Sequence, residues 1–110
     1  MKVLILDDQE VRHQSFAKIF SGCELTHSYT YAEAVTALQA EVYDWVCLDH
    51  DIHDGSWTGY HVAMFITQLD QASRPHTVLV HSWNPEGADR MTAALLAAGI
   101  QVFRRPFSDT

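Results

Sequence analysis

The chain predicts an α/β fold in three layers, a five-stranded parallel sheet with helices on both faces. Two observations carry the prediction. Short apolar runs of strand length recur along the 110 residues, and between them lie helical patterns with recognisable starts or stops. Such alternation demands right-handed crossovers, which make the strands parallel and bury the sheet on both sides.

The elements follow in order. "KVLIL" (2–6) is a continuous apolar run ending in acids, the mark of a buried strand. Residues 10–20 place Val11, Phe16, Ala17, Ile19 and Phe20 at spacings that allow a helix, closed by Ser21 and Gly22. "ELTHS" (24–28) is a second, weaker strand. Thr30 with Glu33 forms a capping box that opens a helix over 31–41. "DWVCLD" (44–49) is the third strand, again ending in an acid. Thr58 caps a helix that its apolar face, Val62, Phe65, Ile66 and Leu69, carries to about residue 72, before Arg74 and Pro75. "TVLVHS" (77–82) is the fourth strand. Asn84 and Pro85 are an N-cap and a first helical position, starting a helix to about residue 98 that stops at Gly99. "IQVF" (100–103) is the fifth strand.

Composition narrows the functional classes. The length predicts one domain over residues 1–110. A net charge of −7 argues against nucleic-acid polymers and anionic membranes as partners, since both need a basic surface. The apolar runs are strand-sized and the first residues reach aspartates too early for a signal peptide, so a cytoplasmic protein is expected. Cys23 and Cys47 are the only cysteines and Cys47 lies in a buried run, which disfavours a disulfide or thiolate metal site.

In an open parallel sheet the binding crevice lies beyond the carboxyl ends of the strands. Asp7 and Asp8 end the first strand, Asp49 the third, Ser82 the fourth, and Arg104 and Arg105 follow the fifth. Two carboxylates about 4 Å apart repel by about 1 kcal/mol in water and about 4 kcal/mol at an effective dielectric of 20. Asp7 or Asp8 facing Asp49 therefore needs a cation or a shared proton, and Asp51 lies close enough in sequence to join them. Oxygen ligands suit Mg²⁺ or Mn²⁺; with an imidazole nearby, Zn²⁺ is also accommodated. The alternative is that Asp7 caps the first helix and Asp49 and Asp51 are loop acids. His50 and His81 are candidate proton carriers with Asp49 in the catalytic set, whereas His53 reads as a loop bystander. In "HSWNPEG", capping by Asn84 leaves the amides of Glu86 and Gly87 at a positive helix end where a phosphate can dock, and Gly87 permits close approach. Ser82, Asn84, Arg12 and Arg90 complete the candidate phosphate contacts.

The acid pair Asp7 and Asp8, Asp49 after its strand, the hydroxyl of Ser82 and a basic residue, Arg105, before Pro106 and Phe107 together resemble the receiver domains of response regulators. The resemblance implies a flavodoxin-like sheet in the order 2-1-3-4-5, a divalent metal on the acids and phosphoryl acceptance at Asp49. Arg105 stands where that family has lysine, and 110 residues leave no room for a fifth helix. "LDDQEVRH", "LDHDI" followed by "TGY", and "HSWNPEG" with a downstream "RM" are more narrowly similar to the cyclic-phosphate processing receiver domains. That resemblance implies metal-dependent hydrolysis of a cyclic nucleotide or other cyclic phosphate, in bacterial immunity or phage counter-defence. Binding without cleavage and a phospho-accepting or degenerate signalling receiver are the two alternatives. Arg105 joins the phosphate-contacting candidates on the same basis. With the fifth helix absent, a homodimer covering the bare face near the first and fifth strands is expected.

Overall fold

The computed structural model describes residues 1–105. Its elements run β1 (Lys2–Leu6), α1 (Glu10–Ile19), β2 (Glu24–Ser28), α2 (Tyr31–Ala40), β3 (Trp45–Leu48), α3 (Gly59–Gln68), a 3₁₀ turn (Gln71–Ser73), β4 (Thr77–Val80), α4 (Pro85–Ala97) and β5 (Gln101–Arg104). All strand pairs are parallel, as the alternating pattern predicts, and the order is β2-β1-β3-β4-β5, as the receiver resemblance implies.

Side-chain alternation divides the core between the two faces of the sheet. Leu4 and Leu6 of β1, Val46 and Leu48 of β3, and Val78 and Val80 of β4 meet Leu38, Val62, Ile66, Met91 and Leu95 from α2, α3 and α4. On the opposite face Val3, Ile5 and Cys47 pack against Phe16 of α1. Burial in that apolar layer pushes the Cys47 thiol up to about 12, so it is an inert packing group.

Helix starts are set by local chemistry. The Thr30 hydroxyl accepts from the Glu33 amide, while the Glu33 carboxylate accepts from the Tyr29 amide, a reciprocal closure of the first turn. The Thr58 hydroxyl accepts from the Tyr60 amide, and the Thr58 amide donates to His61 Nδ1. Asn84 caps α4 by accepting the Gly87 amide at 3.0 Å.

One boundary departs from the prediction. α3 ends at Gln68 rather than near residue 72, and Leu69 is extended with ψ at 151°. Arg74 accounts for the early stop: its guanidinium donates to the carbonyls of Thr67, Leu69 and, across the molecule, Ala98. Carbonyls freed at the ends of α3 and α4 are thus satisfied by one side chain. The strand spans predicted as 44–49 and 77–82 are also shorter, and the trimmed residues form the rim of the sheet.

Candidate functional site

Backbone hydrogen bonds continue past each strand and fix the rim residues. Asp7 donates to Ser28 O, Asp49 to Leu6 O, His81 to Leu48 O and Arg105 to Val80 O. β1, β3 and β4 thereby deliver Asp7, Asp49 and His81 to one edge. Behind them, the chain of β3 lies directly against the start of α3: a Cβ on Gly59 would fall 1.8 Å from the Asp49 carbonyl oxygen. Only glycine permits that approach.

Asp7 is fully buried and Asp49 is 4% exposed. Their outer oxygens share one cation, Arg12, whose Nη1 stands 3.4 Å from Asp7 Oδ2 and 3.4 Å from Asp49 Oδ2. Their inner oxygens accept backbone amides, Gln9 N to Asp7 at 2.8 Å and His50 N to Asp49 at 3.0 Å. Burial, reinforced by the charge of Asp7 and opposed by Arg12, pushes the Asp49 carboxyl up to about 7. Burial likewise raises Asp7. His81 is 1% exposed and holds its Nδ1 3.7 Å from Asp7 Oδ2. Its pKa falls to about 3, first because burial disfavours the charged ring and next because Arg12 is cationic. One donor atom from each of Asp7, Asp49 and His81 lies within 4.8 Å of the others, an arrangement fit to hold a metal ion.

A crevice of about 180 Å³ opens onto this group, lined by Asp8, Gln9, Arg12, Asp49, Asp51, His53, Ser82 and Trp83. His53 Nδ1 donates to Asp8 Oδ2 at 2.6 Å, and that bond raises the pKa of the exposed imidazole. Its backbone is left-handed, with φ at +50°. Histidine is among the residue types that tolerate this conformation. Ser82 Oγ accepts the Asn84 amide at 3.0 Å and keeps its own proton to donate.

Several predicted site residues are placed elsewhere. Asp51 turns toward α4, accepting from His50 Nδ1 at 2.7 Å and Asn84 Nδ2 at 3.3 Å; its first partner, His50, lowers its pKa. Asp51 and Asp8 therefore border the crevice outside the group of three donors. His50, read as a proton carrier, lies beside the α4 start rather than in the crevice lining. The space in front of Gly87 belongs to its ring, since a Cβ there would meet His50 Cγ at 2.4 Å. The expectation of a free Gly87 amide facing a phosphate is corrected by the same geometry: Asn84 occupies that amide. Glu86 is exposed outside the crevice lining. Arg90 lies over the Tyr60 ring, 4.4 Å from its centroid, held by a cation–π contact. Arg104 bonds Asp89 and the Pro85 carbonyl, and Arg105 is exposed. His81, read as a proton carrier, is shut away from solvent and suited instead to donate a nitrogen. His53 and Trp83, neither counted among the site residues, do border the crevice.

The parallel five-stranded sheet with acids at its carboxyl edge defines a receiver-type domain. Residues 2–97 match the sequence profile of the cyclic-phosphate processing receiver domain, and the chain belongs to that family. Among solved structures, the response regulator TrrA of Thermotoga maritima, in complex with Mg²⁺ and BeF, is similar with a TM-score of 0.76 at 17% identity, over 99% of this chain and 88% of that one. A response regulator of Burkholderia pseudomallei with a phosphorylated aspartic acid, a calcium ion and citrate gives 0.71 at 20% identity, over 97% of this chain and 61% of that one. A CheY-like receiver domain protein of Methanospirillum hungatei gives 0.70 at 18% identity, over 97% and 82%. At these identities the likeness shows the fold, and the chain spans less than two thirds of the Burkholderia protein. No curated protein matches the chain. Among the described residues no helix is long and apolar enough to cross a membrane.

Proposed function

We propose that this domain binds a cyclic nucleotide or another cyclic phosphate over a divalent cation at the acid crevice and hydrolyses it. The observation that carries the reading is the pair of buried carboxylates, Asp7 and Asp49, sharing one guanidinium, with Asp49 pushed up to about 7. Further positive charge relieves that repulsion. Membership of the cyclic-phosphate processing family supports the substrate class.

A divalent ion there, Mg²⁺ or Mn²⁺ with Zn²⁺ as the alternative, supplies charge neutralisation at a phosphate oxygen and lowers the pKa of water. The protein's own residues account for the rest. The crevice of about 180 Å³ has room for a phosphate group beside the acids and opens to solvent at its rim. The remainder of the ligand lies outward, where Trp83 at the rim is 59% exposed and offers a face on which any base can stack. Arg12 and the Ser82 hydroxyl take phosphate oxygens. His53, whose bond to Asp8 raises its pKa, delivers a proton to the leaving oxygen as water adds to phosphorus and the ring P–O bond breaks.

The test is a panel of cyclic nucleotides incubated with the protein and Mn²⁺ or Mg²⁺, with and without chelator, and read by mass spectrometry before and after heat release. Linear product formed only with metal is the expected result. Intact nucleotide recovered after heating assigns sequestration instead. Labelling by acetyl phosphate that disappears in Asp49→Asn, with no nucleotide turnover, assigns a phospho-accepting receiver.

A further inference from the structure

His81 presents an unusual combination. It is 1% exposed, it packs edge-on to Phe16 with ring centroids 4.9 Å apart, and neither ring nitrogen makes a hydrogen bond. The carbonyls of Leu6 and of His81 itself lie near the ring but outside hydrogen-bonding geometry. Buried polar atoms in folded proteins are overwhelmingly paired, and an imidazole left without a partner on both nitrogens calls for a physical reason. Phenylalanine or leucine would fill the apolar side of this position without that cost. What sets histidine apart is a nitrogen lone pair, and here the ring places Nδ1 3.7 Å from Asp7 Oδ2, with a donor atom of Asp49 in the same group.

We propose that Asp7, Asp49 and His81 form a mixed oxygen and nitrogen site that selects a first-row transition ion over Mg²⁺. The inference deepens the cation requirement of the proposed function and rests on that reading for the site's location. Mg²⁺ demands oxygen ligands in near-ideal octahedral geometry and sheds its waters reluctantly, so a buried imidazole is a poor partner for it. Mn²⁺, Fe²⁺ and Zn²⁺ accept imidazole together with carboxylate. The donor atoms lie within 4.8 Å of one another, consistent with convergence on a single ion. A bound ion would take one His81 nitrogen and so give that orphaned atom its partner.

Arg12 fits the same scheme. Both of its contacts to the acids are 3.4 Å, longer than ordinary charge-assisted hydrogen bonds, and its side chain is 21% exposed on the crevice side. A divalent ion entering from the crevice competes with that guanidinium for the two carboxylates. The ligand set also differs from one read along the sequence, because Asp8 and Asp51 are committed to His53 and His50.

The experiment needs no substrate. Chelator-stripped full-length protein is titrated calorimetrically with Mn²⁺, Zn²⁺ and Mg²⁺, and the Mn²⁺ form is examined by pulsed EPR for coupling to a ligand ¹⁴N. Wild type is expected to bind Mn²⁺ and Zn²⁺ at least about tenfold more tightly than Mg²⁺ and to show the nitrogen coupling. His81→Leu, chosen because leucine suits the contact with Phe16, is expected to lose the coupling and at least about tenfold of the Mn²⁺ and Zn²⁺ affinity, with Mg²⁺ binding little changed. Asp8→Asn is expected to retain the coupling. Absence of ¹⁴N coupling in wild type, or a preference among the ions that survives in His81→Leu, overturns the ligand set. Because these readouts contain no nucleotide, either failure is separable from a failure to hydrolyse cyclic phosphates.

Discussion

At the scale of single residues, the buried site makes opposing demands on pH. Asp49 has an ordinary value of 3.8 and is pushed up to about 7 in the fold, so between those values the folded state holds a proton that the unfolded chain lacks. Its contribution to stability therefore falls as pH rises through that window. His81 has an ordinary value of 6.5 and is lowered to about 3, so between those values the unfolded chain holds the extra proton. Its contribution falls as pH drops. Over about pH 4 to 6.5 the two oppose each other, each at up to about 1.4 kcal/mol per pH unit. In metal-free protein, the stability of Asp49→Asn relative to wild type should rise with pH across that range, and that of His81→Leu relative to wild type should fall. Urea denaturation at three or four pH values checks both signs; parallel profiles would refute the assignment. The sequence exposed Asp7, Asp49 and Ser82 because strand ends converge on one edge. It did not expose the pairing of His53 with Asp8, which lies 45 positions away and depends on a left-handed backbone at His53. No periodicity encodes such a contact.

At the scale of elements, the contact between the end of β3 and the start of α3 positions Asp49. Gly59→Ala would place a methyl group 1.8 Å from the Asp49 carbonyl oxygen, backbone against backbone, where no side chain can yield. We expect a loss of about 3 kcal/mol, at the upper end for overpacking, measured by thermal or urea unfolding; a loss below about 1 kcal/mol would show that α3 can retreat from the sheet. Helix starts were legible because Thr30, Thr58 and Asn84 act on amides within three residues of themselves. The end of α3 was not, because Leu69 prolongs the apolar pattern while Arg74 draws the chain out of the helix through bonds that include one to Ala98.

For the whole molecule, alternation of strands and helices made the parallel sheet legible, whereas the strand order came through likeness to receivers rather than from the pattern itself. The two faces are unequally covered: α2, α3 and α4 pack on one and, among the described residues, α1 alone on the other. Residues 106–110, including Pro106 and Phe107, lie outside the described residues. On the thinly covered side Phe103 is 48% exposed and stacks on Trp45 at 5.7 Å. The homodimer expected from sequence would bury this pair. Light scattering at micromolar concentration should then report two copies, and Phe103→Asp should shift the population toward one; monomeric wild type would end the proposal. The fit of His50 against Gly87 has a different reach. With no gap between the imidazole and the α4 backbone, and with Asp51 and Asn84 bonded across the same junction, the β3 loop and the first turn of α4 are geared together. A side chain added at Gly87, or a bulkier ring at position 50, therefore cannot be absorbed locally and has to part the β3 loop from the start of α4.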